Sequence, residues 1–303
     1  MERTDARMHR RTFLKSLGAL AGTVGAAGLL AACGDDDAGP AGDAQSAKAL
    51  PKGEPTLNVV HASIETLAGT GRRFAYGLAT ADNVPLKGVK PTVYVRDMDG
   101  TLISGPFTST FHDEGGSPLG LYVAQIDVPE PGNVEVVVSA GDAFGTKTIS
   151  VIAEADSSVP VPGKAAVATA TPTNAAPLAV AKVCTNTPPC PMHEISLDQA
   201  LRDKRPIALM FATPAYCASA LCGPAVETLD GVRAGDDWGD VAFIHVEIFK
   251  DEGQTTLQAV QDWGLRSEPW FFTIDRDGTI SDRVDGPMIA GELSAMVRRI
   301  ASA

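Results

Sequence analysis

Trp263-Gly-Leu-Arg-Ser-Glu-Pro269-Trp-Phe-Phe-Thr-Ile-Asp-Arg-Asp-Gly278 holds a run of aromatic and β-branched residues, Trp270–Ile274, entered through a proline and left through Asp277-Gly278. Such a run bounded by turn formers reads as a buried strand opening a hairpin. Downstream, 279–284 reads as the second strand and Ala290–Ala301 as an amphipathic helix. Upstream, the expected elements are a helix at about 254–263, a strand Val241–Ile248, a helix at about 222–234 and a strand at 206–212. A short helix precedes them, with Ser196 as its expected N-cap and Leu197, Ala200 and Leu201 as its apolar face. Strand–helix–strand–helix–strand–strand–helix is an α/β order with a terminal hairpin.

The first of these strands runs into Phe211-Ala-Thr-Pro-Ala-Tyr-Cys217-Ala-Ser-Ala-Leu-Cys222-Gly-Pro224. A thiolate at a helix N-terminus faces unpaired backbone N–H groups and the positive end of the dipole, which lowers its pKa. Five residues along a helix give about 140° of rotation and about 7.5 Å of rise. That exceeds the Cα separation of roughly 4.4–6.8 Å that a disulfide accepts. Cys217 and Cys222 therefore bridge only if Cys217 lies in the turn before the helix, or if the helix unwinds locally.

The other end of the chain sets the compartment. His9-Arg10-Arg11-Thr12-Phe13-Leu14-Lys15 precedes a Gly/Ala-rich apolar run that ends at Leu30-Ala31-Ala32-Cys33. The first part resembles a twin-arginine export signal and the second the lipobox of bacterial lipoproteins. The resemblance implies a signal peptide over 1–32, a mature chain beginning at lipidated Cys33, and attachment to the outer face of the bacterial cell membrane. The remaining cysteines form two close pairs, Cys184/Cys190 and Cys217/Cys222, in a compartment where disulfides persist. Without its first 32 residues the chain carries 20 basic and 35 acidic residues, a formal charge of −15. That charge argues against nucleic acid and leaves lipid, not a basic patch, to hold the membrane.

Residues 33–56 contain almost no large apolar side chain and read as a flexible tether. Over 57–153, β-rich runs at Leu57–Ile64, Arg73–Leu78, Thr92–Arg96, Leu121–Val128, Val134–Val138 and Lys147–Ile152 alternate with turn signals. Six or seven strands without a helical period predict an antiparallel sandwich, and the pattern resembles bacterial immunoglobulin-like modules. His61 and His112 have no second ligand at useful spacing and read as surface or core histidines. Residues 154–182, with Pro160, Pro162, Pro172 and Pro177, read as an Ala/Pro-rich linker that leaves the two domains at variable separation.

Residues 183–303 resemble the thioredoxin-like fold family. The likeness is carried by the Trp263–Gly278 stretch, with Pro269 in the place of the family's cis-proline, and by Val284-Asp-Gly286 before the last helix. The expected fold class is thus two domains, an all-β immunoglobulin-like sandwich followed by an α/β thioredoxin-like fold. The resemblance implies a thiol–disulfide oxidoreductase acting on protein thiols or disulfides, with Cys217 as nucleophile, Cys222 as resolving thiol and Pro269 beside them; the alternative for the pair is a permanent disulfide bracing the turn. It departs from the family in three places. The cysteines are spaced C-x4-C behind Tyr216, no acid lies in the preceding strand, and Glu268 precedes the proline. A carboxylate at Glu268 would raise the pKa of a neighbouring thiolate. Glu247, on one face of an expected central strand with His245, is a candidate replacement for the missing acid, and Trp270 a candidate wall of a substrate groove.

Cys184-Thr-Asn-Thr-Pro-Pro-Cys190-Pro-Met-His193 reads as a disulfide staple of Cys184 with Cys190. The alternatives are an electron relay to Cys217 and a copper(I) site using Cys184, Cys190, Met192 and His193. No cofactor other than copper is expected. Two further readings of the whole remain: a non-catalytic binding or copper-handling lipoprotein, and a thiol peroxidase, which Thr213-Pro214-Ala-Tyr-Cys217 resembles with one residue too many.

Overall fold

The computed structural model describes residues 50–302 other than 115 and 118. The export signal, Cys33 and most of the tether lie outside the described residues.

Eight strands come first: β1 (Leu57–His61), β2 (Thr66–Leu67), β3 (Gly69–Thr80), β4 (Thr92–Arg96), β5 (Leu102–His112), β6 (Leu121–Val128), β7 (Gly132–Ala140) and β8 (Ala143–Ile152). They hydrogen-bond in the order β1-β3-β6-β5-β4-β7-β8-β2, so β5 passes between a β1-β3-β6 layer and a β4-β7-β8 layer. All pairings are antiparallel except the short β2·β8 contact. Inward-facing residues of both layers, among them Phe74, Tyr76, Val93, Val95, Tyr122, Ile126, Val136 and Val138, close over one apolar core. β5 is the strand that sequence periodicity missed. Its residues are mostly polar or half-exposed, and its pairing with β4 shifts register across Gly105-Pro106 and again between Leu102 and Ser104. There Gly105 has φ +107°, and a Cβ would press on the Val93 carbonyl.

The second sheet contains β9 (Ile207–Phe211), β10 (Ala242–Val246), β11 (Trp270–Ile274) and β12 (Ile280–Asp285), in the order β10-β9-β11-β12. β9 runs parallel to β10 and antiparallel to β11, and β11–β12 is the expected hairpin. All five residues of β9 are buried, because both faces are covered. Ile207, Leu209 and Phe211 face a cluster shared with α1 (Leu197–Arg202) and α3 (Gln258–Asp262). Ala208 and Met210 face one shared with α2 (Cys222–Gly235) and α4 (Ala290–Ala301). β10 is an edge strand, not a central one.

The expected division into two domains, the second an α/β thioredoxin-like fold, is corrected. Among the described residues strand outweighs helix, 35% against 16%. Of the four α-helices among the described residues, α1 and α3 have only six and five residues. All the described residues fall in one compact unit.

The expected linker is part of that unit. Around Lys164 it extends the free edge of β12: Gly163 N–H donates to Ile280 O at 2.8 Å, Ile280 N–H to Lys164 O at 2.9 Å and Ala166 N–H to Gly278 O at 2.8 Å. Val159, Val161, Thr169, Thr171 and Thr173 are buried. Its prolines suit an extended strand-edge path rather than a free spacer.

Variable separation is likewise replaced by a charged joint. The Asp285 carboxylate accepts the N–H groups of Ile64 at 2.7 Å and Glu65 at 3.3 Å. Arg283 pairs with Glu65. Arg73 grips Glu292 at 3.0 Å and donates to Pro287 O at 2.9 Å. Gly286, at φ +68°, lies so close to the Ala62 carbonyl that a Cβ would collide with it.

Candidate functional site

β9 ends at Phe211 and α2 begins at Cys222, so Cys217 sits in the turn and not on the helix. This is the arrangement in which a C-x4-C pair comes together. The Cys217 and Cys222 sulfurs and a Glu268 carboxylate oxygen all lie within 4.8 Å of one another. Cys222 is fully buried, Cys217 is half-buried, and both are free thiols.

Their environments push the two thiols apart. Burial pushes Cys217 up, yet hydrogen bonds from the Cys222 thiol, the Ser219 hydroxyl and the N–H groups of Cys222 and Ser219 outweigh it, leaving Cys217 below its ordinary value. Ser219 Oγ lies 3.2 Å from the Cys217 sulfur. Cys222 moves far the other way, through burial first, then donation to Cys217 and the charges of Cys217 and Glu268. Half-burial also raises the Glu268 carboxyl. The Glu268–Pro269 bond is cis, and Pro269, buried, leads directly into β11.

The supporting residues are distributed differently from expectation. Tyr216 stands edge-on to Phe249 at 6.4 Å and packs against Gly253, so it anchors the turn. Trp270 is buried, stacks on Phe272 and receives Arg283 over its ring at 5.3 Å. It borders a cavity of about 340 Å³ with Ile64, Val159 and Arg266, whose lining includes neither cysteine. No contact of Glu247 with Cys222 is present among the described residues. Its buried carboxylate is engaged by Thr185, accepting the N–H at 2.6 Å and the hydroxyl at 3.0 Å. Ser196 occupies the N-cap position of α1 without capping it; its hydroxyl accepts the Thr171 N–H at 2.9 Å.

A second cluster lies along the edge of β10, where His245 N–H donates to Met192 O at 2.8 Å and so lays the Cys184–His193 segment against the strand. Cys184, Cys190, His193 and His245 each bring one donor atom into a space where all lie within 4.8 Å. The expected Cys184–Cys190 disulfide is not formed: both are free thiols, with sulfurs 3.8 Å apart. Cys190 Sγ lies 3.3 Å from His193 Nε2 and 3.3 Å from His245 Nδ1, and Cys184 Sγ lies 3.9 Å from His245 Nδ1. His245 Nε2 is turned to Ala212 O at 3.0 Å, with a Glu247 oxygen at 3.9 Å. Met192 is buried in the apolar cluster under α2 and α4.

Sequence reasoning did not join His245 to this segment, since 52 residues separate it from His193. The available signal was a histidine inside the apolar run Val241-Ala-Phe-Ile-His-Val, a buried polar group that needs a partner.

The two clusters are linked. Thr185 Oγ1 donates to Glu247 and accepts the N–H of Ala215, in the cysteine turn, at 3.1 Å. The sandwich also reaches the site. A Cβ on Gly116, in the β5–β6 connection, would come within 2.5 Å of Pro224 Cγ at the start of α2.

No family model matches the chain, and no curated protein matches it. Solved structures do. The Lin-41 filamin domain is 13% identical, with a TM-score of 0.21, over 32% of this chain and 92% of that one. The titin domains Z1Z2 in complex with telethonin are 16% identical, with a TM-score of 0.20, over 34% of this chain and 49% of that one. The tandem Ig repeats of Dlar are 14% identical, with a TM-score of 0.22, over 40% of this chain and 58% of that one. The pairing of β1–β8 over one apolar core is itself that of a β-sandwich.

Proposed function

We propose that the protein exchanges thiols and disulfides with protein partners through Cys217 and Cys222. The observation that carries this is the asymmetry of the pair. A half-buried sulfur whose thiolate is stabilised by four donors lies against a buried thiol held protonated. A permanent staple has no need of that difference, whereas exchange uses both halves of it.

The Cys217 thiolate attacks one sulfur of a partner disulfide, forming a mixed disulfide and releasing the other sulfur as a thiolate, which takes up a proton. Cys222 then loses its proton and attacks Cys217 Sγ, releasing the partner's second thiol. The partner gains two electrons and two protons, and the pair ends as a disulfide. A second protein dithiol restores it by the reverse steps. The potential of the partner sets the direction. The twin-arginine and lipobox resemblances support an extracytoplasmic setting, with lipid on Cys33 as the membrane contact. No described helix is long and apolar enough to cross a membrane.

Trapping tests the proposal. Cys222→Ser leaves the mixed disulfide unresolved, so covalent adducts with partner proteins accumulate in extracts and disappear on adding dithiothreitol. Cys217→Ser yields none. Equal adducts on the two variants, or none on either, would refute the assignment.

A further inference from the structure

We propose that Cys184, Cys190, His193 and His245 form a tetrahedral zinc centre, separate from the exchange pair. A four-coordinate ion bonded at about 2.3 Å to sulfur and about 2.05 Å to nitrogen holds its ligands about 3.8 Å (S···S) and about 3.5 Å (S···N) apart. The protein already spaces these atoms at 3.8 Å for S···S, and at 3.3, 3.3 and 3.9 Å for three of the S···N pairs. Four of the six edges thus match a tetrahedron of this size, and all four donors lie within 4.8 Å of one another.

The surroundings suit an ion as well. A metal-bound histidine commonly donates its second N–H to a carbonyl or carboxylate, which fixes the ring. His245 presents Nδ1 to the cluster and Nε2 to Ala212 O at 3.0 Å, with Glu247 behind. His193 and His245 are 2% and 0% exposed, so water does not satisfy their inward nitrogens. Among the described residues His193 Nδ1 has no hydrogen-bond partner, and the ring turns Nε2 toward Cys190. Charge balances too. Binding Zn²⁺ releases one proton from each thiol, and the ion with two thiolates and two neutral imidazoles is neutral, the condition for burying a charge cheaply. The Cys₂His₂ set with no open position fits structural zinc, and sulfur–nitrogen tetrahedra favour zinc over hard cations.

Metal content of the full mature chain, purified with its thiols reduced and titrated with Zn²⁺ alone, tests this. One zinc per chain is expected for the native protein and for Cys217→Ser/Cys222→Ser. Cys190→Ser and His245→Gln lose stoichiometric binding. Because His245 is fully buried, Co²⁺ titration of the native chain supplies a readout that does not depend on the variant's folding. Intense tetrahedral d–d bands with thiolate-to-cobalt charge transfer, and release of two protons per ion, are expected. No metal uptake by the reduced native chain, octahedral cobalt spectra, or undiminished zinc in Cys190→Ser would overturn the proposal. Tight stoichiometric copper(I) with zinc excluded would overturn the identity of the ion.

Discussion

Thr185→Val tests whether the Cys184 loop holds the cysteine turn. Valine keeps the shape of threonine and removes one hydroxyl. That hydroxyl donates to the Glu247 carboxylate at 3.0 Å and accepts the Ala215 N–H at 3.1 Å. Glu247 is only 3% exposed, so water cannot replace the lost donor. A hydrogen bond to a charged group contributes about 1.5–3 kcal/mol. The Ala215 N–H is near solvent and adds little, because water takes over its partner. The expected loss is therefore about 2 kcal/mol. For a chain of this size, with m of about 2–3 kcal/mol per molar urea, the unfolding midpoint falls by about 0.7–1 M. Urea denaturation followed by tryptophan fluorescence measures it, and iodoacetamide alkylation in native buffer reads the turn. Cys217 alkylation rises in the variant if the turn loosens. A midpoint within about 0.2 M of the native value, with alkylation unchanged, refutes the link.

Glu268→Gln removes a charge that holds the Cys222 thiol up. Cys222 then ionises more readily, and resolution of a Cys217 mixed disulfide speeds up by about three- to tenfold, the equivalent of roughly 1 kcal/mol. Stopped-flow release of a chromogenic thiol measures it, and slower resolution would instead make Glu268 the proton acceptor. His61, stacked on Phe74, is lowered from 6.5 to about 4 by burial and then by Lys147. The unfolded chain binds the extra proton between those values, so stability rises with pH across that window and is lost as pH falls from 6.5 to 4. With a discount for partial exposure the loss is roughly 2 kcal/mol, and it is absent in His61→Gln by urea denaturation across that range.

Local chemistry made parts of the molecule legible. Trp270–Ile274 and its hairpin follow from an apolar run closed by a turn whose Gly278 takes φ +79°. The break between β9 and α2, with Cys222 first on the helix, follows from the change of period after Phe211. What escaped depends on partners distant in sequence. β5 is a polar strand made regular only by β4 and β6. The 154–182 segment lacks periodicity because it borrows the edge of β12 and the face of Trp263, whose Nε1 donates to Val167 O at 3.1 Å. The Arg73, Arg283 and Asp285 joint unites residues more than 200 positions apart. The Cys184/Cys190 pair looked like a staple because its histidine from β10 was out of view. The α/β thioredoxin-like expectation rests on a short motif, which weighs less than the excess of strand over helix among the described residues.

The reduction potential of the Cys217/Cys222 pair tests the central claim most directly. It is read by equilibrating the protein with defined ratios of reduced and oxidised dithiothreitol or glutathione and counting free thiols on Cys217 by mass spectrometry. An exchange pair with a stabilised Cys217 thiolate falls between about −270 and −120 mV, the span of working dithiols. A potential below about −300 mV, with Cys217 unreactive at neutral pH, marks a permanent bridge and contradicts the account.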